Sequence, residues 1–295
     1  MIIRKKQIGN RNYYYLEHSL REKRKVKKKE VYLGKEIPKN IEEIKKKFVF
    51  GIYKEKWFEI FENIKKNYIK EEKATPKSAK EKEKESFMIK FTYNTQKIEG
   101  SKLSLKDTAN LLEKGISPKD KPLRDIKEAE NHKKVFYEML GYQKDLNMQI
   151  VLYWHKNLFS ETKEDIAGKI RNHHVMISRS KFIPPTPAEL DFLLKEFFDW
   201  YKKNRSRINP VELAALVHLK FVSIHPFSDG NGRISRLIMN FVLNKSKMPL
   251  IDIDYINRNS YYNALERAQV KKNELIFLQW FFRRYFKSNK KFLDK

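Results

Sequence analysis

The 295-residue chain contains no cysteine, which excludes disulfides, thiolate zinc sites and a cysteine nucleophile. It has no run of about 18 apolar residues, the length a membrane-spanning helix needs. The opening MIIRKKQIGN lacks the apolar core of a signal peptide. Neither a P-loop string nor a Rossmann glycine turn is present, and no internal repeat is visible. These absences lead to the expectation of a soluble, cytoplasmic protein with no membrane partner.

Positive charge is abundant. Lys and Arg outnumber Asp and Glu by 64 to 37, for a formal net charge of +27. Such a chain is drawn to nucleic acid, anionic membrane and acidic partners. The lysines are scattered, however, with acidic residues among them, so a solvated charged surface is the plainer reading. With 40% apolar residues and 20 Phe, a sizeable core is expected rather than disorder. The length fits one ordinary domain with a smaller appendage.

Residues 1–48 read as a small basic β-rich segment with sixteen basic and six acidic residues. Tyr13 to Leu16 and Val31 to Leu33 are its strand-like runs, separated by the basic stretch Arg21 to Lys29. Residues 49–86 read as a helix followed by a charged linker, because 71–86 hold Pro76 and no large apolar residue. From residue 87 to 286 the patterns are mainly helical, over 104–114, 125–140, 147–159, 187–203, 211–224, 235–246 and 259–286. The exception is 168–185, whose two β-rich runs around a polar turn predict a short hairpin. Residues 287–295 form a basic tail.

The chemistry concentrates in His225-Pro226-Phe227-Ser228-Asp229-Gly230-Asn231-Gly232-Arg233-Ile234-Ser235-Arg236. In the preceding stretch, Val211 to Ile224, ten of fourteen residues are apolar, the mark of a helix buried on all sides. Pro226 disfavours helical backbone at His225. Gly230 and Gly232 permit close approach of a ligand to backbone N–H groups, and a second apolar helix is expected from about Ser235. Helix, glycine loop and helix N-terminus make an anion cradle, to which Arg233 and Arg236 add phosphate-binding charge. Asp229 is placed to hold Mg²⁺, and His225 has the side chain best suited to base chemistry near neutrality. Taken alone, the same residues also fit an ordinary loop with a structural histidine.

This string resembles the signature of the Fic family, His-Pro-Phe-x-(Asp/Glu)-Gly-Asn-Gly-Arg-x-x-Arg, at every specified position. The likeness covers roughly residues 87–286. It takes in Glu130-Asn131, the Gly168-to-Arg171 entry to the hairpin, Pro184-Pro185 after it, and Tyr261-Tyr262 followed by Ala264-Leu265-Glu266. The resemblance implies a mainly α fold, a Fic-type helical bundle with a β-hairpin flap, here with a small N-terminal β segment. It implies AMP transfer from ATP to a Ser, Thr or Tyr hydroxyl of an unknown target protein. His225 would deprotonate the hydroxyl and Asp229 would hold Mg²⁺. The loop of Asp229, Gly230, Asn231, Gly232 and Arg233 would cradle the phosphates, and Arg236 would pair with the γ-phosphate. Val175, Met176, Ile177 and Ser178 of the flap would face the nucleotide, and their edge could align a target segment by strand addition. Tyr261 and Gln269 fall where the family surrounds the adenine. Related Doc-type kinases replace part of the Gly-Asn-Gly loop, which this chain keeps.

Upstream, Thr95-Gln96-Lys97-Ile98-Glu99-Gly100 matches a second family pattern, (Ser/Thr)-x-x-x-Glu-(Gly/Asn), an inhibitory helix whose glutamate pairs with the second signature arginine, here Arg236. The resemblance also implies that Glu99 can position water to remove AMP, so a bifunctional or mainly de-AMPylating enzyme is an alternative. A nucleic-acid-binding regulator acting through the basic N-terminal segment is another. A homo-oligomer is compatible with the chain. His173 and His174 alternate on an extended run and make poor joint metal ligands. His218 reads as a core histidine, and His155 as a residue that packs near the site.

Overall fold

The β-rich runs of the first 34 residues form a three-stranded antiparallel sheet, ordered β1 (Ile2–Ile8), β2 (Arg11–Glu22), β3 (Lys25–Gly34), in a computed structural model that describes residues 1–22 and 25–293. The strands are longer than expected. Residues 25–29 of the basic stretch pair with β2, Ser19 opposite Lys28 and Leu20 opposite Lys27; residues 23 and 24 lie outside the described residues. A lysine-rich run can be a strand because its backbone joins the ladder while its charged heads stay in water. The chain divides into two compact units, Met1–Glu59 and Ile60–Lys295. In the first, Leu16 and Leu20 of the sheet and Phe50 and Ile52 of helix α1 (Ile41–Ala74) are buried. Tyr15 sits opposite Arg4 and Tyr32, and Glu17 is buried between Arg4 at 3.4 Å and Lys28 at 3.3 Å.

The second unit is helical. Helix α2 (Lys77–Ile98) follows α1 after two residues, Thr75 and Pro76. Residues 71–86, expected as a linker or irregular loop, are therefore helical on both sides of Pro76. Lys, Glu and Ala are strong helix formers, and Pro76 stands at the N-cap, where its missing N–H is harmless. Then come α3 (Leu105–Lys114), α4 (Leu123–Gly141), α5 (Met148–Phe159), α6 (Leu190–Asn204), α7 (Pro210–Ile224), α8 (Asn231–Lys245), α9 (Arg258–Val270) and α10 (Glu274–Ser288). Nearly all of α7 is buried, as its all-round apolar surface requires; α8 packs beside it, with α2, α4 and α5 against α8. The tail is only partly a tail: Phe292 is buried against Tyr68, centroids 5.4 Å apart, and its carbonyl accepts a bond from Asn67. The last two residues lie outside the described residues.

The second half of α1 belongs to this core. Phe61 is fully buried, edge-on to Phe282 and Tyr285 at 5.1 and 5.5 Å. Phe61→Ala is expected to cost about 3–5 kcal/mol, read as a lowered urea midpoint at unchanged slope. An unchanged midpoint would mean that this half of α1 is not part of the cooperative core.

The expected hairpin also needs correction. Among the described residues no strand is found in 168–185, so the flap is an extended loop that reverses near Ser180, whose N–H reaches Ile177 O at 3.1 Å. Its two limbs bond to a side chain instead of to each other. The Arg171 guanidinium donates to His173 O at 2.8 Å, Pro185 O at 2.6 Å and His225 O at 2.9 Å, and Lys181 N–H goes to Glu266 at 3.1 Å. One buried arginine thus closes the base of the flap and ties it to the loop after α7. Inward and outward alternation survives, with Val175 and Ile177 partly covered and Met176 and Ser178 exposed.

Candidate active site

The loop from His225 to Gly230 is built by local backbone chemistry. His225 caps α7 in the left-handed region, φ 52° and ψ 56°, with its N–H on Phe221 O. Pro226 disfavours the right-handed helix at His225 and so ends α7 there, and the left-handed backbone is an uncommon one for a residue with a side chain. Its Nδ1 lies 3.3 Å from Val222 O. A carbonyl only accepts, so Nδ1 carries the proton and Nε2 keeps a free lone pair. Burial is the main influence on this imidazole and pulls its pKa below the ordinary value, with the nearby Arg171 adding to the shift. At neutral pH it is therefore an uncharged base.

Asn231 staples the loop shut: its Oδ1 accepts from Phe227 N–H at 2.9 Å and its Nδ2 donates to Phe227 O at 2.7 Å. The helix begins at Asn231, four residues before the expected Ser235, because Gly230 in the left-handed region (φ 81°) turns the chain directly into α8. A side chain at Gly230 would collide with the Phe159 ring. No side chain caps α8, so the first-turn N–H groups at Asn231, Gly232 and Arg233 are open to an anion.

His155 holds the loop from behind. Gly168 N–H donates to its Nδ1 at 2.9 Å, so Nε2 carries the proton and donates to Asp229 O at 3.0 Å; the ring stacks on Phe227 with centroids 3.8 Å apart. Burial pushes its pKa down to about 4, and it stays neutral. It is a positioning residue, consistent with the sequence reading. His218 is likewise a core histidine, bonded through Nε2 to the Tyr261 hydroxyl at 2.8 Å. His173 and His174 are exposed. Among the described residues no cluster of three or more His, Asp or Glu side chains could hold a metal by itself.

The Asp229 carboxylate is the electrostatic centre. Burial works to raise its pKa, but Arg233 and Lys163 hold it well below the usual carboxylate range. Its Oδ1 accepts from Arg233 at 3.0 Å and from Gly230 N–H at 2.5 Å, and its Oδ2 meets Lys163. Arg233 is only 2% exposed and is also bound by Glu128 and, at 3.2 Å, by Gln96. Its guanidinium is thus committed to carboxylates, and its backbone is the part that faces the cradle. Glu128 and Lys163 were missed in the sequence. For Glu128 a signal existed: Asp125, Glu128 and His132 put polar side chains at i, i+3 and i+7 on the buried face of α4. Glu130, noted in the sequence, is half-exposed and pairs with Lys127 at 3.6 Å.

Arg236 lies one turn further along α8 and is 1% exposed. It donates to Thr95 Oγ1 at 2.5 Å, Thr95 O at 3.3 Å and Glu99 Oε1 at 2.6 Å. Thr95 and Glu99 stand four residues apart at the end of α2, so both face α8. Gly100, φ 98°, then lets the chain leave. A side chain at Gly232 would collide with the Glu99 carboxylate, so the glycine of α8 and the glutamate of α2 fit one another. Tyr261 is buried, whereas Tyr262 is 44% exposed and bonds Ile98 O at 3.2 Å. Gln269, bonded to Ser223 at 3.1 Å, lines a cavity of about 550 Å³ with Phe182, Trp200 and Ile224.

One helical unit thus brings together an uncapped helix N-terminus, a neutral histidine before it and an extended flap tied to that histidine's carbonyl by Arg171. Residues 145–243 match the model of the Fic/DOC family, and the chain carries a domain of that family. It is 30% identical over 181 residues to protein adenylyltransferase Fic of Nematostella vectensis, covering 60% of this chain and 42% of that one. It is 31% identical over 186 residues to protein adenylyltransferase fic-1 of Caenorhabditis elegans, covering 61% and 36%. The chain thus spans less than half the length of these curated relatives. Among solved structures, a Fic-domain signaling protein of Bacteroides thetaiotaomicron superposes with a TM-score of 0.70 at 26% identity, over 77% of this chain and 94% of that one. C. elegans Fic-1 (residues 134–508) gives 0.71 at 24% identity, over 83% and 73%, a likeness of fold.

Proposed function

We propose that this chain is an autoinhibited protein adenylyltransferase, which transfers AMP from ATP to a hydroxyl of a target protein. The observation that carries this reading is the unprotonated Nε2 of His225 standing before the uncapped N-terminus of α8. In the reaction, Nε2 takes the proton of the target hydroxyl and the oxygen attacks the α-phosphorus. The bond from that phosphorus to the bridging oxygen breaks, and pyrophosphate leaves. The N–H groups of residues 231–233 receive phosphate oxygens, and Arg236 receives the γ-phosphate once Glu99 releases it. Flap residues 175–178 flank the nucleotide, and the Gln269 cavity takes the adenine; Tyr261, buried on His218, supports Arg236 instead.

Asp229 fits a Mg²⁺ ligand, since it stays ionised and a carboxylate plus triphosphate oxygens is a usual Mg²⁺ environment. Such an ion would neutralise the phosphates. Incubation with α-labelled ATP is expected to place label on protein, including this chain itself. Asp229→Ala, or EDTA, should each lower incorporation by at least about 10²-fold. Full labelling in EDTA would remove the metal from the scheme. A second reading, AMP removal, is favoured by Glu99 itself, which is 27% exposed and accepts from Arg236 through Oε1. A carboxylate so placed can orient water as well as block a phosphate.

A further inference from the structure

Two carboxylates and two cations close a ring beside the α8 N-terminus. Asp229 joins Arg233 and Lys163, and Glu128 joins the same two cations, with Lys163 Nζ 3.5 Å from Glu128 Oε1. The ring is uneven. Arg233 is 2% exposed, and Asp229 Oδ1 is held by both Arg233 and Gly230. Lys163 is 25% exposed, a point charge on a flexible stem. Among the described residues, Glu128 Oε1 is a buried acceptor with no hydrogen-bond partner, an arrangement that native interiors avoid.

That oxygen, an ion-pair neighbour of Lys163 at 3.5 Å but without a hydrogen bond, lies within a small swing of the ammonium. We propose that Lys163 is an internal cation that covers Oδ2 of Asp229 in the nucleotide-free enzyme and swings to Glu128 Oε1 when metal and ATP arrive. The inference rests on the reading of Asp229 as the metal ligand. It adds a threshold: a divalent ion must displace a tethered ammonium, and the displaced charge stays in the site, satisfying Glu128 rather than going into solvent. Metal without nucleotide, lacking the phosphate ligands, meets the full competition.

The test is a titration of Mn²⁺ followed by electron paramagnetic resonance, on the full chain with the α,β-methylene analogue of ATP, whose link between the α- and β-phosphorus is not cleaved, so that no turnover intervenes. If the covered form leaves Oδ2 free in about a tenth of molecules, Lys163→Met tightens Mn²⁺ binding about tenfold. Lys163→Arg, which keeps a cation there, stays near wild type. Lys163→Gln serves as the second variant if the methionine protein does not fold by circular dichroism. Asp229→Asn separates the two readings. If it abolishes Mn²⁺ binding while Lys163→Met and Lys163→Gln bind no tighter than wild type, the lysine proposal is overturned and the metal ligand stands. If Asp229→Asn binds Mn²⁺ as wild type does, both are overturned.

Discussion

Glu99→Gly is expected to raise AMP transfer by about 10- to 100-fold, the equivalent of about 1.5–3 kcal/mol for a hydrogen bond to a charged group. The direction is the informative part, because most substitutions beside an active site lower activity. Glu99 Oε1 occupies Arg236 at 2.6 Å, hydrogen-bond contact that leaves no room for a phosphate oxygen between them. Glycine at 99 frees the guanidinium and the space in one change. The nucleotide-free variant should also be less stable, since among the described residues Arg236 then keeps only Thr95 and Tyr261 as hydrogen-bond partners. The loss should fall below the 3–5 kcal/mol of a fully buried pair because Glu99 is part-exposed. ATP, by supplying a phosphate, should restore more stability to the variant than it adds to wild type. Glu99→Gly with Arg236→Ala should lose most of the gain. Parallel assays of label incorporation and AMP release should show transfer rising as removal slows, if one carboxylate serves both. Flat incorporation in a well-folded Glu99→Gly protein would show that the end of α2 is no brake.

His225→Ala should lower transfer by about 10²- to 10⁴-fold, the usual range for a lost general base, with the fold retained. The side chain makes one 3.3 Å hydrogen bond, and alanine, unbranched at Cβ, adds only a modest positive-φ cost over histidine. ATP binding should survive, because the phosphate donors come from the backbone of α8. The wild-type pH profile checks the role independently. Burial lowers the His225 pKa, so transfer should be flat at neutral pH and fall only as pH drops through a value below about 6.5. An acid limb centred above that value, or labelling by His225→Ala at the wild-type rate, would remove His225 as the base.

How much of this was readable in the chain follows from what each feature depends on. The helices from α3 to α10 were visible because their spacing and capping are local. The signature string and the Thr95–Glu99 pattern were visible because their parts are adjacent or one helical turn apart. The helical character of residues 71–86 was hidden because Pro76 reads as a breaker until its N-cap position is known. The flap reads as a hairpin because alternation is local, whereas the choice of Arg171 over a strand ladder depends also on His225, distant in sequence. By itself the sequence determined the identity of the chemistry: a histidine before a glycine loop, a carboxylate within it, and arginines after it. The tertiary structure alone decided the state of those groups. It put the proton on Nδ1 of His225, committed Arg233 to Glu128 and set Lys163 on Asp229; the contact of Glu99 with Arg236 across 137 residues is the pairing that the family pattern had implied. The physical reason is that residue type sets what a group can donate or accept, while charge and protonation depend on partners that only folding brings within a few ångströms.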